Sequence, residues 1–430
     1  MLVRRSVLRE RCITEKEDLG ERHSKQGGPA ILPPAATKGL RSRSAREPLD
    51  WAAMHIDFSG RGAIALATPD AAATRYLASA LAPFPVVSDL PADPVVVLKA
   101  VPVGSIHLRE FQRAADDDLV TASDGEHSYV VWDGLACAIP DATATRPAIF
   151  EYESGFPLWR VFRSAIRPAV QVALATDDRA VALHAASVVR DGGGIAVAGW
   201  SESGKTETAL ALMELGAGFL SDKWTLLGHD GELSAFPISV GVRRWVLDYL
   251  PTLHRTVTRR SQVQFTAAGV ASLVLGPIGG RPAQTRSRGM VADLARRAGA
   301  LGDRAAFEVE ELRAAFSDTS DPMRRVPTRA VCMLINSPDG SQPHVEPMDP
   351  AVAAERLSRT AGFERRAYFA LRQRAAFALS GQPTTITDRA VEADAAFLRT
   401  ALADLPILGV QAPFPTDPRT VAEAILRFLG

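Results

Sequence analysis

The chain has 430 residues, of which 47% are hydrophobic, so it carries enough apolar sequence to bury a globular core. Its 49 basic and 49 acidic residues cancel, which excludes a global field that would attract nucleic acid or an anionic membrane. The three cysteines (Cys12, Cys137 and Cys332) lack metal-ligand spacing, and no apolar run resembles a membrane span or a secretory signal. We therefore predict a cytoplasmic protein without a disulfide framework or a zinc site.

The first predicted segment, residues 1–53, is basic and contains the breaker-rich run "KQGGPAILPPAATKG". Such a composition buries too little apolar surface to offset the entropy of ordering the chain. We predict a disordered tail. A basic interaction arm, a flexible leader and an upstream start site are the alternative interpretations.

The second segment, residues 54–150, mixes short β-like runs such as "GAIALAT", "PVVVLKAVPV" and "SYVVWDG" with one helical stretch, "DAAATRYLASALAP". The apolar residues of that stretch recur at three- and four-residue spacing, as on one face of a helix. We predict a small α/β domain here.

The third segment, residues 151–430, begins with a helical pattern over "FPLWRVFRSAIRPAVQVAL". Two strand-like runs, "AVALHAASVVR" and "IAVAG", then flank the break "DGGG", which predicts a hairpin-like entry into a glycine loop. A helix over "TETALALMELG" and a strand or strand pair over "AGFLSD" and "KWTLL" follow, with longer helical patterns in residues 268–320 and 350–403. The whole chain is thus predicted to be α/β.

The glycine loop of residues 199–206, "GWSESGKT", matches G-x-x-x-x-G-K-[ST] between a predicted strand and a predicted helix. Its glycines let backbone N–H groups turn inward on phosphates, and the helix start adds partial positive charge. Lys205 would reach the β and γ phosphates, and the Thr206 hydroxyl would bind Mg²⁺. We therefore predict that ATP and Mg²⁺ bind at Gly199, Trp200, Ser201, Glu202, Ser203, Gly204, Lys205 and Thr206.

Asp222 is the candidate catalytic carboxylate. Phosphoryl transfer to a hydroxyl requires a carboxylate that accepts or orients the acceptor's proton. Asp222 follows the apolar pair Phe219 and Leu220 at the end of the first strand after the loop helix, which predicts that it lies on the same sheet edge as the phosphates. The alternative is an aspartate in a surface turn.

Two stretches, "GWSESGKTETALALMELGAGFLSD" and the upstream "LHAASVV", resemble the HPr kinase/phosphorylase family and its HPr-serine-kinase-like relatives. The resemblance implies a P-loop kinase domain in which Lys205 and Thr206 contact nucleotide and metal. It also implies that Asp222 accepts the proton of a serine hydroxyl and that His184 lines the active site.

The sequence departs from that family at two places. Lys223 stands where the family commonly has a second acid, and "ISVGVRRWVLD" replaces the glycine-rich signature with Glu-x-Arg-Gly, so HPr itself is not the expected substrate. Lys223 either neutralises phosphate charge or lies on a solvated strand face. Arg243 and Arg244 either donate to a phosphate or have structural or solvated roles.

The sequence as a whole predicts an ATP-dependent kinase that transfers the γ-phosphoryl group to a hydroxyl, such as a serine of a peptide or protein. Two alternatives stay open: a non-catalytic ATP-binding regulator, in which Lys223 marks a lost metal carboxylate, and a kinase of a small-molecule alcohol. The expected partner is the acceptor, not nucleic acid or membrane. Association of the chain with itself is left open.

Overall fold

Apolar runs of the second segment pair into a nine-stranded mixed sheet in the computed structural model. The structure describes residues 54–68, 70–88, 93–113, 120–124, 127–256, 304–338, 342–378 and 385–430. The predicted disordered tail of residues 1–53 and most of the helical pattern of residues 268–320 lie outside these ranges. The predicted α/β class is confirmed for the described part of the chain.

The first sheet has the strand order β3-β1-β2-β4-β9-β8-β7-β6-β5. Its central strands β2, β4 and β9 are parallel, and the remaining neighbours are antiparallel. The predicted helix α1 (Ala71–Ala80) follows β2, and the Asp70 side chain caps its first turn. The strands are β1 (Met54–Asp57), β2 (Ala63–Leu66), β3 (Val86–Val87), β4 (Pro94–Val101), β5 (Glu110–Arg113), β6 (Val120–Ser123), β7 (Ser128–Trp132), β8 (Leu135–Ala138) and β9 (Ala148–Glu153).

The second sheet has the order β10-β14-β15-β18-β12-β11-β13. In addition, β20 pairs with β18, and β19 pairs with β20. β11 and β12 are antiparallel, which confirms the hairpin-like entry into the glycine loop. β18 lies between β12 and β20 and is parallel to both. The strands are β10 (Val181–Leu183), β11 (Ala185–Arg190), β12 (Gly193–Gly199), β13 (Gly218–Ser221), β14 (Thr225–Leu227), β15 (Glu232–Ala235), β18 (Arg325–Asn336), β19 (His344–Pro347) and β20 (Ile407–Ala412).

Helices cover the second sheet. The predicted helix before β10 forms as α2 (Trp159–Val161), a π-helical turn (Phe162–Ile166) and α3 (Arg167–Thr176), and the predicted loop helix forms as α4 (Lys205–Glu214). The remaining helices are a 3₁₀ turn (Arg244–Tyr249), α5 (Pro251–Thr256), α6 (Val309–Ala315), α7 (Pro350–Glu364), α8 (Arg366–Ala378), α9 (Ile386–Ala401) and α10 (Pro418–Leu429). The helical pattern of residues 350–403 is therefore confirmed as α7, α8 and α9.

One predicted helical stretch is wrong in part. Within residues 268–320, the chain forms β17 (Arg304–Phe307) before α6. This strand pairs antiparallel with β16 (Val240–Arg243), a partner more than 60 residues away in the sequence. The alanine-rich sequence around this strand favours a helix, but the pairing of β17 with β16 overrides that local preference.

One apolar cluster joins the two sheets, and further clusters pack on the second sheet. The rings of Phe58 and Phe236 stack at 5.1 Å, and Tyr368 donates its hydroxyl hydrogen to the Pro140 carbonyl oxygen at 2.6 Å. All described residues belong to one compact unit of the chain, and the predicted domain boundary at residue 150 falls inside β9. The division into a domain of residues 54–150 and one of residues 151–430 stays a prediction.

A fully buried ion pair ties the helices together behind the second sheet. Arg365, between α7 and α8, donates to Asp394 of α9 at 2.6 Å, and both side chains have 0% exposure. Arg365 also donates to Gln171 of α3 at 3.3 Å. Removing one partner of such a pair leaves a buried charge without compensation, which costs far more than the intact pair contributes.

We therefore expect Asp394→Ala to lower the free energy of unfolding by about 3–5 kcal/mol. Glu392→Ala is the matched control, because Glu392 is exposed on the same helix. The control should change stability by less than about 0.5 kcal/mol. Urea denaturation of both variants tests this, and equal stability of the two would show that the pair does not hold the helices together.

Candidate active site

The glycine loop turns sharply where β12 ends. Gly199 has φ +154°, and a Cβ there would lie 2.6 Å from the Ser203 Oγ and 2.9 Å from the Leu334 carbonyl oxygen. Gly204 has φ +93°, and a Cβ there would lie 3.1 Å from the Phe414 ring. Only glycine meets both conditions without strain, so the two glycines of the motif are required by the backbone path.

Lys205 is the first residue of α4, and its side chain folds back over the loop. The ammonium group donates to the carbonyl oxygens of Trp200, at 2.6 Å, and Gly199, at 3.2 Å. Burial lowers the pKa of Lys205 to about 8, which Asp222 and Glu364 partly oppose. The site therefore holds a desolvated cation whose attraction for an anion is weakly screened.

Asp222 lies beside the first turn of α4, as predicted. β13 is antiparallel to β11, which is antiparallel to β12, so the ends of β13 and β12 meet at one sheet edge. The Thr206 hydroxyl donates to the Asp222 carboxylate at 2.8 Å. Burial raises the pKa of Asp222 to about 6 even though Thr206 hydrogen-bonds to the ionised form. The alternative of an aspartate in a surface turn is excluded by its burial.

His184 reaches the same edge from the break between β10 and β11. Its ring centroid lies 5.3 Å from that of Trp224, and its Nδ1 is buried without a hydrogen-bond partner among the described residues. Burial, followed by the charges of Lys205 and Lys223, holds the pKa of His184 far below its usual range. The imidazole is therefore neutral at physiological pH.

These side chains surround one cleft of about 270 Å³. Most of the residues that the sequence singled out line it: His184, Ser201, Glu202, Ser203, Gly204, Lys205, Thr206, Asp222, Lys223 and Arg243. Gly199 lies at the base of the loop, outside the lining. Trp200 is 51% exposed and packs against Phe363 with the rings tilted and their centroids 4.8 Å apart. Arg244 is exposed and does not line the cleft.

Lys223 lines the cleft, and its side chain is 42% exposed to solvent there. Its ammonium nitrogen lies 3.8 Å from a carboxylate oxygen of Glu364, at the end of α7. Burial and the neighbouring Arg167 lower the pKa of Lys223. The sheet edge thus carries Asp222 and an ammonium group side by side.

Arg243 interacts with two carboxylates at the cleft. It donates to Glu202 at 2.8 Å and lies 3.9 Å from Glu207. β16 brings it there, and the same strand places Gly241 in the lining. A guanidinium in this position could exchange an acid for a phosphate oxygen, because both acceptors suit its planar donors.

Four lining residues were missed by the sequence interpretation, namely Glu207, Ser239, Gly241 and Glu364. Glu207 follows the motif directly and could have been found as an acid in the first turn of the loop helix. No pattern in the sequence around Glu364 indicates a site residue. Glu364 reaches the cleft only because α7 packs against helices that are distant in the sequence.

Oxygen ligands for a cation are available at the Thr206 hydroxyl and the Asp222 carboxylate, which meet at 2.8 Å. Such hard donors suit Mg²⁺, which usually takes one or two protein ligands together with substrate phosphates. Within the described ranges, no group of three or more His, Cys, Asp and Glu side chains could hold a metal by itself. A cation here would therefore need phosphate oxygens to complete its ligand shell.

No protein-family model matches this chain, and no curated protein matches it in sequence. In the part of the chain that the structure describes, no helix combines the length and apolar character needed to cross a membrane. The family resemblance and the cytoplasmic location accordingly stay predictions.

Lys205→Ala should weaken MgATP binding roughly 100-fold or more, because hydrogen bonds from an ammonium to phosphate contribute about 1.5–3 kcal/mol and its long-range attraction is also lost. Titration calorimetry measures the change. Lys99→Ala is the control, since Lys99 is a half-exposed lysine on the first sheet, paired with Glu151. Equal affinity of wild type and Lys205→Ala would refute the assignment of the loop to phosphates.

Proposed function

We propose that this protein is an ATP-dependent kinase, with a P-loop domain of the HPr-kinase-like type, that phosphorylates a hydroxyl group. The observation that carries the proposal is the hydrogen bond of 2.8 Å between Thr206 and Asp222, formed in the same cleft as the buried ammonium of Lys205. Loop, cation and carboxylate are the three parts that phosphoryl transfer to a hydroxyl requires. The resemblance of residues 180–227 to HPr-serine-kinase-like proteins agrees with this assignment.

The loop and Lys205 hold the phosphates in this proposal. Backbone N–H groups at the start of α4 donate to phosphate oxygens, and the helix dipole adds to their attraction. Lys205 exchanges the Trp200 and Gly199 carbonyl oxygens for phosphate oxygens. The exchange is favourable because a charged acceptor forms a stronger hydrogen bond with an ammonium than a carbonyl does.

Thr206 is the residue that would hold Mg²⁺, which supplies charge neutralisation at the phosphates. The metal therefore fits the oxygen donors at this edge. Lys223 adds a positive charge where the family commonly has a second acid, and it faces the same cleft. In the proposed enzyme, Lys223 stabilises the negative charge that develops on the phosphoryl oxygens.

Asp222 is the proposed proton acceptor, and His184 has a supporting role. A protonated His184 would lie beside Lys205 and Lys223, and both charges oppose it. For Asp222, the charge of Lys205 favours the ionised carboxylate, while burial and Glu207 oppose it. The neutral imidazole is left to donate or accept a hydrogen bond at the cleft wall.

Asp222→Asn should lower phosphotransfer by roughly 100-fold or more, the range expected for removal of a positioned general base. The amide oxygen can still accept the Thr206 hydrogen bond, so much of the affinity for MgATP should survive. Mass spectrometry of candidate acceptors after incubation with MgATP gives the rate.

Asp404→Asn is the matched control for this substitution, because Asp404 is exposed and remote from the cleft lining. It should transfer phosphate at the wild-type rate. Full activity of Asp222→Asn would move the base to another residue, with His184 the next candidate.

The competing function is a non-catalytic ATP-binding regulator, which Lys223 favours if it marks a lost metal carboxylate. Lys223→Asp restores the acid that the family commonly carries and removes the ion pair with Glu364. We expect this variant to lose at least tenfold in phosphotransfer, because the change replaces a cation at the phosphates with an anion. A gain of ATP-dependent transfer would instead identify the natural protein as a weakened or non-catalytic relative.

A further inference from the structure

The α7–α8 corner, residues 363–366, meets the cleft at two points. Phe363 and Glu364 are the last two residues of α7. The Phe363 ring contacts Trp200 of the glycine loop, with ring centroids 4.8 Å apart, and a carboxylate oxygen of Glu364 lies 3.8 Å from the ammonium nitrogen of Lys223. One short segment therefore contacts both the phosphate-binding loop and the cation beside the proposed base.

The backbone at Lys223 is strained, so the position of its side chain is constrained. Lys223 has φ +66°, a left-handed conformation that residues other than glycine seldom adopt. The Trp224 N–H donates to the Asp222 carbonyl oxygen at 2.8 Å, which makes Lys223 the central residue of a γ-turn. From this turn Asp222 reaches Thr206, while Lys223 reaches Glu364. Strain of this kind persists only where surrounding contacts hold it, and it is concentrated at functional sites.

Glu364 is the contact that holds the Lys223 ammonium group in place. Its side chain is 12% exposed, so the carboxylate has lost most of its hydration and favours a cationic neighbour. Without Glu364, the flexible Lys223 side chain could turn to the adjacent carboxylate of Asp222. A proton acceptor paired with an ammonium group is a weaker base. Glu364 thus keeps the cation available to the phosphates and keeps Asp222 free of it.

Phe363 acts on the glycine loop through Trp200. The Trp200 carbonyl oxygen accepts a hydrogen bond of 2.6 Å from the Lys205 ammonium, and its ring packs against Phe363. The Arg366 guanidinium lies 4.1 Å from the centroid of the Phe363 ring and donates to the Phe363 carbonyl oxygen at 3.0 Å. Nucleotide phosphates would draw Lys205 away from the Trp200 carbonyl. The aromatic contact would then keep the start of the loop in place.

The α7–α8 corner is itself anchored in the protein interior. Arg365, which follows Glu364, forms the fully buried ion pair with Asp394 and also donates to Gln171. These contacts tie the corner to α9 and α3. A segment fixed in this way can hold two parts of a site at a constant separation, because packed helices and not the ligand set its position.

We propose that Phe363 and Glu364 are positioning residues of the kinase site, through which the α7–α8 corner sets the separation between the glycine loop and Lys223. Phe363 acts through Trp200, and Glu364 acts through the Lys223 ammonium group. Neither residue touches the reacting atoms in this assignment. The inference rests on the proposed kinase function and adds the residues that align its phosphate-binding loop with its catalytic edge.

Glu364→Gln tests the contact with Lys223, because it removes the negative charge and keeps the shape of the side chain. We expect kcat for phosphotransfer to fall roughly tenfold or more, since a displaced cation no longer meets the developing charge. The affinity for MgATP, measured by calorimetry, should not fall, because the variant removes an anion that repels the phosphates. Glu355→Gln is the matched control, since Glu355 is exposed on the same helix.

The rate at which an amine-reactive reagent labels Lys223 is a readout that needs no phosphotransfer. Glu364→Gln should raise this rate about threefold or more, because an ammonium group without its carboxylate loses its proton more readily. Mass spectrometry of the labelled peptide measures the rate. Lys99, which is paired with Glu151 on the first sheet, is the internal reference in the same sample.

Phe363→Ala tests the contact with the glycine loop. We expect MgATP to bind roughly fivefold or more weakly, because the variant removes an aromatic pair that steadies the loop. The fluorescence of Trp200, obtained as the difference from the corresponding Trp200→Phe protein, should also change in the absence of nucleotide. Phe363→Tyr keeps the ring and should restore both values. Phe377→Ala is the matched control, since Phe377 is 72% exposed on α8 and lies outside the cleft lining.

Specific outcomes would overturn the positioning roles. For Glu364 these are an unchanged kcat, an equal loss of kcat and MgATP affinity, or an unchanged labelling rate of Lys223 in Glu364→Gln. For Phe363 they are wild-type affinity in Phe363→Ala or no recovery in Phe363→Tyr. Melting temperatures establish that each variant folds. Phe363→Leu, which removes the ring and keeps an apolar side chain, replaces the alanine variant if that one unfolds.

Failure of the kinase function is distinguishable from failure of the positioning roles. If the wild-type protein transfers no phosphate, the kinase is refuted, while labelling of Lys223 and binding of MgATP still decide whether the α7–α8 corner holds the two parts of the cleft. Phosphotransfer at the wild-type rate in Glu364→Gln and Phe363→Ala would leave the kinase and remove the positioning roles.

Discussion

The close approach of Gly199 to β18 is the constraint on which the site depends. Gly199 pairs with Leu334 in the parallel ladder of β12 and β18, and its missing side chain lets the Leu334 carbonyl oxygen and Ser203 come near. The chain can therefore turn at once into the loop and start α4 at Lys205. Because β11 lies between β12 and β13 in the same sheet, the position of that turn also decides which side chains face the first turn of α4.

Burial at this edge sets the electrostatics of the cleft. Lys205 and Lys223 lose hydration, and so does Asp222, so each charged form is held there at a cost that the other charges only partly offset. The neutral form of His184 follows from the same cause.

The first sheet contributes to this region through the helical segment between the sheets. Phe162 packs against Tyr76 of α1, while the arginines of the same segment act on Lys223. The fully buried pair of Arg365 and Asp394 fixes the junction of α7 and α8, and α7 ends with Glu364 at the cleft. Packing between distant helices thus determines which charges stand opposite the glycine loop.

The sequence alone determined the features that depend on neighbouring residues. A G-x-x-x-x-G-K-T loop between an apolar strand and a helix needs only local backbone geometry, and the apolar run before Asp222 fixed its place at a strand end. Tertiary structure alone decided that Glu364 faces Lys223, that Arg243 pairs with Glu202, and that residues 304–307 form a strand. The residues in these contacts are far apart in the sequence, and the shortest separation is the 41 positions between Glu202 and Arg243. Contacts of this kind depend on tertiary packing and leave no periodic pattern in the sequence.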